Sequence, residues 1–92
     1  MTQSLKNIIN SFLRSTGLEK GVAQQKALFI WSDVVGKAVG KNTQPESVEH
    51  GIITVHTTTP AWRQELQFKK SDIIEKLNEK LGKKIIKDIR FI

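Results

Sequence analysis

The segment Gly51 to Leu66, G-I-I-T-V-H-T-T-T-P-A-W-R-Q-E-L, passes from a β-branched run through a Thr-Pro step directly into an amphipathic helical pattern. Ile53, Val55 and Thr57 alternate toward one face and Ile52, Thr54, His56 and Thr58 toward the other, which is how a strand with one covered side reads. His50-Gly51 supplies a hairpin turn, because glycine takes positive φ freely and histidine tolerates it. The partner strand spans Glu46 to His50, in a register that sets Val48 opposite Ile53. Thr59 is placed to cap the next helix, and Pro60 suits its first turn, where no amide hydrogen is needed. That helix is expected to run to Leu81. Trp62, Leu66, Ile73 and Leu77 form its apolar stripe, Ile74 and Leu81 flank it, and Gly82 ends it. A last strand, Ile85 to Ile92, follows.

Two helices precede this unit. Leu5, Ile8, Ile9, Phe12 and Leu13 recur at helical spacing, with Gly17 as the stop and Leu18 after it. A second helix is expected from Ala23 to Val39, with Ala27, Ile30, Trp31, Val34, Val35 and Ala38 on one face. Gly40 is its stop, before the polar stretch Lys41 to Glu46. Gly36 inside that helix costs about 1 kcal/mol relative to alanine, and close approach of another backbone would account for it. A strand, a helix and a strand in succession imply a crossover to a parallel neighbour. The expected fold class is α+β, ordered α-α-β-β-α-β, with a three-stranded mixed sheet and helices packed on one face. Residues 1–92 are read as one domain.

The chain has no cysteine, so disulfides, thiolate metal sites and cysteine nucleophiles are excluded. His50 falls at a turn and His56 on a strand, without a second ligand at helical spacing, so no metal is assigned. No cofactor or small-molecule substrate is expected. The amino-terminal M-T-Q-S-L-K-N-I-I-N is too short and too amphipathic for a signal peptide or a membrane span, so a cytoplasmic protein that does not enter the membrane is expected. No serine adjoins a histidine in a nucleophile turn, and the carboxylates sit at helical ion-pair spacings. Gly36-Lys37-Ala38-Val39-Gly40 lacks the G-x-x-x-x-G-K-[ST] arrangement of a phosphate-cradling loop. These readings point away from an enzyme.

Charge points to a partner. Fifteen Lys and Arg against nine Asp and Glu give +6, an imbalance suited to nucleic acid. Residues 60–92 hold nine of these cations and five of the acids, a net of +4. Glu65–Lys69, Asp72–Lys76 and Glu79–Lys83 fall at i, i+4 in the favourable order and account for part of them as solvated helix charges, although Lys83 lies past Gly82. The candidate nucleic-acid-binding residues are Arg63, Lys70, Lys80, Lys83, Lys84, Lys87 and Arg90. Trp31 and Trp62 lie on apolar stripes and read as core. Phe68 projects about 160° from the stripe of its helix. Either the first helix covers it, the expected outcome, or it is exposed as a contact for a protein or an unstacked base.

The ordered set W-x-x-V-V-G (Trp31, Val34, Val35, Gly36), W-x-x-E-L (Trp62, Glu65, Leu66), L-N-x-x-L-G (Leu77, Asn78, Leu81, Gly82) and I-R-F (Ile89, Arg90, Phe91) resembles the DciA family. These are bacterial proteins associated with the replicative helicase, with a KH-like core, and the resemblance covers about residues 5–92. It implies a KH-like domain that assists the helicase on single-stranded DNA. The G-x-x-G loop by which many KH domains clamp RNA is missing, so that clamp is not carried over. Two functional readings follow. The first is a non-catalytic adaptor that interacts with the replicative helicase and with single-stranded or forked DNA, or RNA, through the basic residues above. The second is a protein-interaction module without nucleic-acid binding of its own, docking a partner through Phe68 or through Ile52 and its neighbours on the outer sheet face.

Overall fold

The computed structural model describes residues 19–92, so the expected helix at Leu5 to Leu13 lies outside the described residues. Seven elements follow in order: α1 (Glu19–Val35), α2 (Lys37–Lys41), β1 (Thr43–Glu49), β2 (Ile52–Thr57), α3 (Pro60–Phe68), α4 (Lys70–Leu81) and β3 (Asp88–Phe91). The sheet order is β1-β2-β3, with β1 antiparallel and β3 parallel to the central strand. This is the expected α+β arrangement with a mixed sheet, each of the two later helices of the reading being broken once.

Alternation along the strands decides which face is covered. Val48, Ile53, Val55, Ile89 and Phe91 are buried with Thr43 and Thr57, whereas Ile52, His56, Asp88 and Arg90 are exposed. Against the covered face pack Ala27 and Trp31 of α1, Leu66 of α3, and Ile73 and Leu77 of α4. Trp31 is fully buried, its ring centroid 6.4 Å from that of Phe91. Its indole N–H donates to the Thr43 hydroxyl at 2.9 Å, and that hydroxyl donates to the Val39 carbonyl at 2.7 Å. The buried polar atoms thus satisfy one another.

The hairpin takes the expected register, Val48 opposite Ile53. Its two turn residues both have positive φ, 53° at His50 and 80° at Gly51, as a two-residue turn matched to strand twist requires. β1 begins at Thr43 rather than Glu46, because Thr43 and Gln44 continue the ladder opposite Thr57 and His56. A bulge interrupts the pairing between Pro45 and Ser47. At the other edge, the main-chain N–H groups of Asp88 and Ile92 donate to β2 or its turn, so that of Ile89 points away from the ladder; the Asp88 carboxylate accepts it at 2.8 Å.

Four further expectations are corrected. The helix expected from Ala23 starts at Glu19. Gly36 does not lie within a continuous helix: at φ 88°, ψ 171° it separates α1 from α2, in a region open essentially only to glycine. No atom lies within 4 Å of a Cβ built there, so conformation and not close approach requires it, and Ala38 beyond the break is exposed. Close approach instead belongs to Gly51, whose added Cβ would meet the Ile85 carbonyl oxygen and the Lys87 Cγ at 3.1 Å. The helix after Pro60 is divided at Lys69 (φ −101°, ψ 5°), although Leu66, Ile73 and Leu77 still share the buried side. Finally, β3 starts at Asp88 and not Ile85, for a reason found in Asn78.

Candidate nucleic-acid interface

The expected basic residues occupy several places. The end of α4 and the loop after it form the most cation-rich of them. Gly82 adopts the left-handed conformation (φ 79°) and returns its N–H to the Asn78 and Glu79 carbonyls, stopping the helix. The side-chain oxygen of Asn78 then accepts from the Ile85 and Ile86 N–H groups at 3.0 and 2.8 Å, while its amide donates to the Ile86 carbonyl at 2.9 Å. Ile85 and Ile86 are buried, so the loop is anchored at its apolar pair. The Ile86 N–H and carbonyl are thus committed to Asn78, and the Ile85 N–H is shared between Asn78 and the Lys83 carbonyl at 3.0 Å, so these groups do not begin the strand.

That anchoring leaves the lysines on the outside. Lys83, Lys84 and Lys87 line a shallow open groove with Ile74, Asn78 and Ile86, and Glu75 and Glu79 border it on the helix side. All three lysines are exposed. The far end of the loop is tied to the hairpin turn. The Gly51 carbonyl accepts from Lys87 N–H at 2.7 Å and Asp88 N–H at 3.3 Å, and Gly51 N–H donates to Gln24 of α1 at 2.7 Å.

The remaining candidates stand elsewhere. Lys70, which helical spacing leaves unpaired, meets Asp88 of β3 at 3.2 Å, and Lys80 meets Asp33 of α1 at 3.9 Å. Both pairs join segments far apart in the chain, so no i, i+4 rule could have found them. The Glu65–Lys69 pair of the spacing argument forms at 3.6 Å between exposed groups. Arg63 is exposed on α3. Arg90 lies on the outer sheet face in one row with Thr54 and Ser47, next to a row of Glu49, Ile52 and Asp88, so that face carries mixed charge. Ile52 is 41% and Phe68 83% exposed; the helix expected to cover Phe68 is outside the described residues.

Sequence reading missed Asn78 as the residue that seats the lysine loop. The available signal was a polar side chain interrupting the flank between Ile74 and Leu81, four residues before a stop glycine. Chemically, the groove offers ammonium groups on long stems beside a small apolar floor. Ammonium groups of this kind can meet phosphates through charge, without reading base identity. Among the described residues there is no group of three or more His, Cys, Asp or Glu able to hold a metal ion, and no helix is long and apolar enough to cross a membrane.

Comparison with known proteins places these elements in context. The family model described as Dna[CI] antecedent, DciA, matches residues 4–91. Similar proteins include UPF0232 proteins of Rhodococcus jostii (25% identical over 83 residues, 90% of this chain and 44% of the relative), Corynebacterium glutamicum (24% over 88 residues, 96% and 49%) and Mycobacterium ulcerans (23% over 88 residues, 96% and 47%). The chain spans about half the length of the curated relatives it matches.

Proposed function

Because the chain belongs to the DciA family, we propose that it is a non-catalytic adaptor of bacterial DNA replication, acting with the replicative helicase and associating with single-stranded or forked DNA. The observation that carries the DNA part of this reading is the gathering of Lys83, Lys84 and Lys87 around one open groove at the end of α4. Lys84 and Lys87 are the residues assigned to phosphate contact, with Lys83 beside them. Lys70 and Lys80 contribute less, since each faces an acid and brings little net field. Arg63 and Arg90 extend the footprint onto α3 and the outer sheet face.

The test is a fluorescence-anisotropy titration of labelled single-stranded, forked and duplex DNA and single-stranded RNA, at low and near-physiological salt. The wild-type chain is expected to favour single strands or forks. The double variant Lys84→Glu, Lys87→Glu is expected to lose at least about tenfold in affinity, as removal of several phosphate contacts requires. Binding unchanged by that double charge reversal would refute the assignment.

A second reading draws support from the outer sheet face. Ile52 is 41% exposed, with Glu49 and Asp88 on either side of it in its row and Arg90 in the adjoining row of the same face. Apolar contacts ringed by both signs of charge suit a protein partner better than a polyanion. Capture of purified helicase that survives high salt in the wild type and is lost in Ile52→Ser would assign this face to the helicase.

A further inference from the structure

We propose that the outward face of α1, carrying Val22 and Phe29, is the docking site of the chain's own amino-terminal segment, residues 5–13. The inference is independent of the DNA-binding reading above.

Its starting point is that α1 is apolar on two opposite sides. Ala27 and Trp31 are buried against the sheet. Phe29 stands about 200° from Trp31 around the helix, and Val22, seven residues before Phe29, falls within about 20° of it. Val22 is 52% and Phe29 84% exposed, and with Gly21, Gln25 and Lys26 they border one shallow recess. A helix with a single covered side turns polar residues to water, whereas apolar residues on both sides belong to a helix lying between two layers. The sheet supplies one of those layers. Phe68 differs, since no second exposed large apolar residue accompanies it on α3 or α4.

Length and position choose the occupant. Residues 1–18 directly precede α1 and lie outside the described residues. Within them Leu5, Ile8, Ile9, Phe12 and Leu13 recur at helical spacing, a stripe about 12 Å long as a helix, against about 10.5 Å from Val22 to Phe29. Gly17, the expected stop, makes residues 14–18 the connection. A link this short returns a helix antiparallel to its neighbour, which sets the Leu5 end of the stripe toward Phe29 and the Leu13 end toward Val22. Tethering also holds the segment at an effective concentration on the millimolar scale, so a contact built on two side chains suffices. A second copy meeting this face through its own Val22 and Phe29 lacks that advantage. A phenylalanine buries about 150–250 Å², and a stable pair of chains needs about 800 Å² from each.

The chain has no cysteine, so introduced pairs report proximity cleanly. The full chain is prepared as Ile8→Cys with Gln25→Cys and, for comparison, as Ile8→Cys with Phe68→Cys, and each is treated with a short bismaleimide at low micromolar concentration. The first pair is expected to link within one chain, read by mass and gel mobility, and the second is not. Without introduced cysteines, Phe29→Ser is expected to lower Tm by about 5–15 °C, and Phe29→Leu to keep most of the stability. Phe29 is outside the buried cluster, so Phe29→Ser still folds, which circular dichroism verifies. Absence of an intrachain link to Gln25→Cys overturns the proposal, and links formed only between chains give the face to a second copy instead. Equal linking to Phe68→Cys, or a wild-type Tm in Phe29→Ser, overturns it as well.

Discussion

Asn78 shows how one side chain can set the position of a charged surface it does not belong to. Its amide group makes three hydrogen bonds to the main chain of Ile85 and Ile86, and the lysines on either side of that pair are held out as a result. Asn78→Ala is expected to destabilise the fold by about 1–3 kcal/mol, the cost of leaving the Ile86 N–H and carbonyl without their side-chain partner, measured by urea unfolding. It is also expected to weaken DNA binding several-fold without changing any charge. Asn78→Asp keeps both accepting contacts and should lose less stability. The sequence motif L-N-x-x-L-G made Leu77, Leu81 and Gly82 legible as core and stop, because periodicity and glycine conformation are local. The work of Asn78 was not legible, because its partners are displaced by a loop whose path depends on burying Ile85 and Ile86.

The start of α3 is legible in the sequence, whereas that of α1, at Glu19 and not Ala23, and the continuity of both helices are not. The Thr59-Pro60 step begins α3 as expected, with the Thr59 hydroxyl accepting Trp62 N–H at 3.1 Å and Pro60 in the first turn. Thr59→Ala should cost about 1 kcal/mol and Thr59→Ser almost nothing, a difference resolvable in thermal melts. Capping is decided by neighbouring residues, so the sequence carries it. The breaks at Gly36 and Lys69 were not read, since the apolar stripes Trp31–Val35 and Leu66–Leu77 continue through or up to them at helical period. Gly36 was recognised as costly within a helix, but its solution, a φ of 88° with open space around it, emerges only when α2 turns to follow β1. Strand limits erred for a similar reason: Thr43 joins β1 because Trp31 and Val39 hold its hydroxyl, twelve and four residues away.

On the scale of the molecule, the basic excess read from composition is distributed over surfaces with different neighbours. If Lys84 and Lys87 are the main phosphate contacts, the logarithm of affinity for single strands should fall with the logarithm of salt concentration with a slope of about −1.4, steepening toward about −3 if Arg63 and Arg90 join them. A titration series in sodium chloride measures it, and a slope near zero would leave the lysines as solubility charges. Composition gave the sign of this surface; ion pairs such as Lys70–Asp88 and Lys80–Asp33 had to be seen, since folding alone brings those partners together. The same folding also finishes the two margins of the sheet. Pro45 lacks an amide hydrogen and the adjoining bulge breaks the spacing along β1, while Asp88 occupies the outward amide of Ile89 on β3. Neither margin offers an uninterrupted row of donors and acceptors for another strand. Copies crowded together at high local concentration therefore lack a template for zipping edge to edge into fibres.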